Sequence, residues 1–183
     1  MASRGETGTS LQDVADAVGM KKPSILYYFP SKDALRKAVI DGLLERWSEL
    51  LPRLLLSGHA EPRARFDAVF TELVGFFGRD PDRARLLVRE LLDRPVELER
   101  YLEQKVEPWL KVVVLALDSG KARGLVRPDL DARAYTLSIT TLLLSGLATA
   151  SAFTTLFGGD AEAAQQRLVT ELSRVAHAAL FPG

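Results

Sequence analysis

Between Gly8 and Leu35 the chain gathers side chains suited to gripping a polyanion. They are the hydroxyls of Thr9, Ser10 and Ser24, the carboxamide of Gln12, the ammonium groups of Lys21, Lys22 and Lys32, and the phenols of Tyr27 and Tyr28. Ammonium groups neutralise phosphates and release counterions, and hydroxyls and amides donate to phosphate oxygens or base edges. From residue 20 to residue 40 stand Lys21, Lys22, Lys32, Arg36 and Lys37 against Asp33 alone. The whole chain balances 24 Lys and Arg with 24 Asp and Glu, so attraction to nucleic acid has to come from this local patch. Other chemistries find little support. There is no cysteine, His59 and His177 lack metal-spaced partners, and no phosphate-cradling glycine loop is present. Glu97, Glu99, Glu103 and Glu107 are interspersed with Arg100 and Lys105, as on a solvated helix face. No catalysis, cofactor or metal site is expected.

The elements that must position these groups are helical. Apolar residues recur at helical spacing along nearly all 183 residues, and no period-two run suggests a strand, so the fold class is all-α. Ser10 to Ala17 predicts a short helix, with Ser10 as N-cap, Asp13 as its capping-box partner and Gly19 as the stop. Lys22 to Phe29 predicts a second short helix with Pro23 in its first turn, ended by Pro30. The two have the form of a helix-turn-helix, in which the first helix braces the second and the start of the second enters a major groove. Periodicity and charge alone leave a second reading open, a helical hairpin with a solvated basic face.

The order Gly8-Thr-Ser-Leu-Gln-Asp-Val-Ala-Asp-Ala-Val-Gly-Met-Lys-Lys-Pro-Ser-Ile-Leu-Tyr-Tyr-Phe-Pro-Ser-Lys-Asp-Ala-Leu35 closely resembles the N-terminal signature of the TetR family of bacterial regulators. The resemblance implies a DNA-binding domain over residues 1–46, a helical regulatory and dimerisation domain over 47–183, and a cytoplasmic homodimer acting as a repressor. It implies phosphate contacts from Thr9, Ser10 and Lys32, and a DNA contact from Gln12. It places base reading at Lys21, Lys22, Pro23 and Ser24, and backbone contacts at Tyr27 and Tyr28. For Phe29 a core role is expected, and for Tyr28 a core role is the alternative. Leu26 stands where the family most often has tyrosine. The family also has a full helix ahead of the motif, whereas Ala2-Ser-Arg-Gly-Glu-Thr-Gly resembles only the tail of that helix. The first helix is therefore expected to be largely missing here. A helical scaffold that has lost DNA binding is the competing function.

The remaining chain predicts long helices. Ser31 caps one whose apolar face runs Leu35, Val39, Leu43, Trp47, Leu50, Leu54. Pro62 to Phe77, Asp82 to Asp93 and Pro95 to Leu117 follow, the last bent at Pro108, which lacks an amide donor. Phe66, Phe70, Phe77, Tyr101 and Trp109 are the expected lining of an apolar effector pocket beside that bend. Asp129 to Phe157 and Ala161 to Leu180 are expected to pair with their copies as a four-helix bundle, with Leu168, Leu172, Val175 and Ala179 facing inward. From Ala134 to Gly159 there is no charge, which is long enough for a bilayer. Nine serine and threonine hydroxyls and no cluster of flanking cations favour a buried or subunit-facing helix over a membrane span.

Overall fold

The computed structural model describes residues 10–56 and 61–182, and among them every regular element is a helix. Helix α1 (Leu11–Ala17) starts at the capping box expected from Ser10 and Asp13: the Asp13 amide donates to Ser10 Oγ at 3.1 Å, and the Ser10 amide to the Asp13 carboxylate at 2.6 Å. Gly19 turns the chain with φ +68°, a conformation that strains any residue with a Cβ. Helix α2 (Lys22–Tyr28) carries Pro23 in its first turn and ends one residue earlier than Phe29. Ser31 Oγ then accepts from the Ala34 amide at 3.0 Å and opens α3 (Lys32–Leu56).

The remaining helices are α4 (Pro62–Gly78), α5 (Pro81–Asp93), α6 (Pro95–Tyr101), α7 (Glu107–Ala122), α8 (Ala132–Thr149) and α10 (Ala161–Leu180), with a short α9 (Thr154–Phe157). Helices α4, α5, α8 and α10 each begin at an acidic cap, Glu61, Asp80, Asp131 or Asp160, whose carboxylate takes a first-turn amide. Between α6 and α7 the backbone stays helical but widens to a π-turn over Leu102–Val106, where the Glu107 amide reaches back to Leu102 O. The bend expected at Pro108 takes this form: a proline in the first turn of α7 has no amide for the Gln104 carbonyl, and the turn ahead of it loosens.

The core joins α3, α4, α5, α7, α8 and α10 through Ile40, Trp47, Leu51, Phe70, Leu73, Phe77, Leu87, Trp109, Leu143, Leu147 and Ala176. Two predicted faces hold in part, with Trp47 buried and Leu43, Leu50 and Leu172 packed against the core, and differ at individual positions. On α3 the buried line is Arg36, Ile40, Trp47 and Leu51, while Val39 lies outside. Periodicity reads Arg36 as a surface residue and so selects the neighbouring stripe. On α10 the buried residues are Ala164, Ala176 and Leu180, and Val175 is exposed. The expected Asp129–Phe157 helix is also interrupted. It passes into a 3₁₀ segment at Ala150–Phe153, and Gly158 closes α9 in the left-handed region.

Candidate nucleic-acid interface and effector cavity

Helix α2 buries one side chain, Ile25, beside the buried Ala15 of α1. Everything else at its start points to solvent: Lys21, Lys22, Pro23 and Ser24 are exposed, with no acidic residue in the first turn. The two phenols near its end are the most open aromatics of the region, Tyr27 at 84% and Tyr28 at 66%, with their rings edge-to-face at 5.2 Å. The core alternative for Tyr28 is therefore not what the structure shows, whereas Phe29 is half-buried. Ser10 is exposed but its hydroxyl is engaged in the cap, and Gln12 Nε2 donates to Asp16 at 2.7 Å. Lys32 is half-buried at the start of α3. Thr9 and the segment before it lie outside the described residues.

The basic patch is smaller than its sequence count. Arg36 is 4% exposed and faces inward, where its guanidinium pairs with the buried carboxylate of Glu90 on α5. It also pairs with Asp33 at 2.5 Å and with Glu97 of α6 at 3.0 Å. Lys37 is held by Asp33 at 3.0 Å. Lys21, Lys22 and Lys32 remain as the cations facing outward without a carboxylate partner among the described residues. Arg36 clamps the start of α3 onto α5 and α6, directly after the exposed helix. Sequence reasoning missed this role, because nothing local marks Glu90 and Glu97 as its partners. Hydrogen bonds from Arg36 and then Lys37 pull the Asp33 carboxyl down to about 2.

The body contains a cavity of about 130 Å³ between α3, α4, α7, α8 and the chain end. Of the five expected lining residues it brings together Phe66, Phe70 and Trp109. Phe77 is packed in the core at the far end of α4, and Tyr101 borders a separate surface groove with Lys37 and Arg100. Trp47, Thr136, Ile139, Val126 and Phe181 complete much of the wall. Tyr135 also borders it, with its hydroxyl donating to Ala176 O at 2.8 Å, and burial pushes that phenol's pKa up. Gly120 sits so close to Val126 that a Cβ there would meet it at 2.7 Å. His177 packs edge-on against Phe66 and tilted against Phe181. Trp109 is 7% exposed and its Nε1 has no hydrogen-bond partner among the described residues. An unmet buried donor of this kind costs about 1–3 kcal/mol.

An exposed two-helix reader fastened to a larger helical body with an internal cavity defines the class of helix-turn-helix transcriptional regulators. Residues 1–39 match the family of bacterial regulatory proteins of the tetR type, and residues 62–173 match a tetracyclin repressor-like C-terminal domain. The chain belongs to the TetR family of DNA-binding transcriptional regulators.

It is 26% identical over 120 residues to the HTH-type transcriptional regulator EthR of Mycolicibacterium smegmatis, covering 66% of this chain and 54% of that one. It is 27% identical over 133 residues to the HTH-type transcriptional repressor KstR2 of Mycobacterium tuberculosis, covering 71% and 65%. The chain thus spans under two thirds of the length of these relatives. A solved transcriptional regulator from Saccharomonospora viridis, in complex with choline, shares the fold with a TM-score of 0.64 at 20% identity, covering 100% of this chain and 92% of the other.

Proposed function

We propose that this chain is a cytoplasmic, homodimeric repressor that reads a near-palindromic operator through α2 and lets go of it when a small molecule fills the body cavity. Residues 1–46 would form the reader and 47–183 the regulatory body. Lys21, Lys22 and Ser24 would face base edges, Lys32, Tyr27 and Ser10 would grip phosphates, and catalysis has no part in the scheme. The observation that carries the reading is the start of α2, a helix N-terminus flanked by ammonium groups and left open to solvent. For the ligand to release DNA it must bind the DNA-incompetent arrangement more tightly than the competent one.

The second copy is assigned to the outer face of α8. Ala134, Leu137, Ser138, Thr141 and Leu142 are all exposed there, and none carries charge. The stretch Ala132–Phe157 is long and apolar enough to cross a membrane, and its buried residues within the subunit are Ala132, Leu143, Leu144, Leu147 and Ala150. Its hydroxyls can be buried against a partner subunit, since Thr136 and Thr149 already bond back to helix carbonyls. The neighbouring exposed Val175 on α10 extends the same apolar surface. An obligate interface here is expected to exceed about 2,000 Å² in total.

Selection from random duplexes with the purified chain tests the reading. The expected product is a pair of inverted half-sites about 34–36 Å apart. Recovery of no preferred sequence would overturn it in favour of a scaffold. Sedimentation at low micromolar concentration is expected to give a dimer, and a stable monomer would remove the two-half-site arrangement.

A further inference from the structure

The walls of the body cavity set the size of what it can hold, an inference that rests on the reading of this cavity as the effector site. Its volume, about 130 Å³, is close to the roughly 150 Å³ of a dry apolar cavity that binds benzene. Trp47, Phe70, Val113 and Ile139 line it from α3, α4, α7 and α8, and the same residues belong to the main core. A ligand larger than the space has to push these packed helices apart, at the cost that overpacking carries. One end of the wall is built differently. Val126 from the α7–α8 loop, Leu180 from the end of α10 and Phe181 beyond it form a second small cluster with Phe66 and Tyr135, and each of these lines the cavity. Phe181 sits on extended backbone, with φ −101° and ψ 143°. Its ring meets the Phe66 ring edge-to-face at 6.0 Å, and the guanidinium of the exposed Arg63 lies over it at 5.1 Å while donating to Pro182 O at 3.3 Å. The ring therefore stands between a cavity-wall residue and a solvent-facing cation. The backbone beside it is fixed separately, since the Arg127 amide donates to Leu180 O at 3.1 Å. Shortening the side chain then leaves space beside Phe66, because the anchored backbone relaxes only partially.

We propose that the cavity takes a ligand with a single apolar ring, and that Phe181, held in place by Arg63, is the residue that excludes a second fused ring. The one-ring ligand fills the space against Phe66, Phe70 and Ile139. A two-ring ligand has to displace the Phe181 ring and break its contact with the Arg63 guanidinium.

Fluorobenzene and 1-fluoronaphthalene, titrated against the full chain and followed by fluorine NMR, test this. Wild type is expected to bind the one-ring probe about tenfold tighter than the two-ring probe. In Phe181→Ala the two-ring probe is expected to gain about tenfold and erase that preference, with fluorobenzene changed by less than about threefold. Arg63→Ala, a change at an exposed side chain, is expected to move the same ratio about threefold in the same direction. Should Phe181→Ala fold poorly, Arg63→Ala carries the test. A variant that only loosened the fold would weaken both probes alike and leave their ratio in place. Equal wild-type affinities, a wild-type preference for the larger probe, a ratio that neither variant moves, or no binding of either probe would overturn the proposal. Operator release measured alongside separates it from the effector reading. Size-selective binding that leaves operator DNA bound would sink the effector reading alone, and release by both probes at equal concentrations would sink the size limit alone.

Discussion

Helix α3 joins two regions built on opposite principles. Ahead of it, α1 and α2 bury one residue each, Ala15 and Ile25, and turn lysines, a serine and two phenols outward. Behind it, the body packs Trp47, Leu51, Phe70, Leu110, Leu143 and Leu147 into a shared core and keeps an apolar cavity. The reader's chemistry sits on individual exposed side chains, so it can be changed one residue at a time with little effect on folding. The body's chemistry is a volume enclosed by several helices, so most changes there alter stability and binding together. The Arg36 cluster lies where the two regions meet and ties them together by ion pairs.

The contrast can be broken first at that junction. Arg36→Ala leaves the Glu90 carboxylate buried without its guanidinium and is expected to cost about 3–5 kcal/mol in chemical denaturation. A loss under about 1 kcal/mol would mean that the cluster does not fasten the reader to the body. The next effect belongs to the core. Leu147→Ala removes a side chain that is 2% exposed, with an expected loss of about 2–5 kcal/mol.

Acid gives a smaller and directional effect. The Asp33 carboxyl is held near 2, below its unfolded value of about 3.9, so the native state binds fewer protons than the unfolded chain. The stability it contributes is complete above about pH 4 and is lost as pH falls toward about 2. Asp33 is 42% exposed, and solvent screening keeps the contribution modest. Asp33→Asn is expected to flatten that part of the stability curve while leaving the neutral-pH DNA preference unchanged. The smallest effect on folding comes from the reader: Tyr27→Ala is expected to change stability by less than about 0.5 kcal/mol while weakening DNA binding.

What the residues reveal in advance follows the same divide. The capping box at Ser10, the left-handed turn at Gly19, the first-turn Pro23 and the cap at Ser31 are local devices, and each is legible from neighbouring residues. The start of α10 at Ala161, set by the cap of Asp160, is legible for the same reason. Nonlocal features are not. Arg36 reads as part of a basic patch until Glu90 and Glu97 are brought to it from 54 and 61 residues away. Phe77 shares α4 with the cavity residues Phe66 and Phe70, and Tyr101 ends a helix that borders a separate groove, which only the packing of α4 and α6 shows. Trp109 is foreseeable as a wall residue, but its unmet N–H depends on every other group that fails to reach it.

The central claim is that α2 and the start of α3 read DNA with separable roles for base and phosphate. The most direct measurement is the affinity for a selected duplex and for its mutated forms, across a range of salt, in wild type, Ser24→Ala and Lys32→Ala. Lys32→Ala is expected to weaken binding to every sequence alike and lower the salt slope by about one, and Ser24→Ala to change the preferred bases at an unchanged slope. Variants that leave both the slope and the preference as in wild type would contradict it.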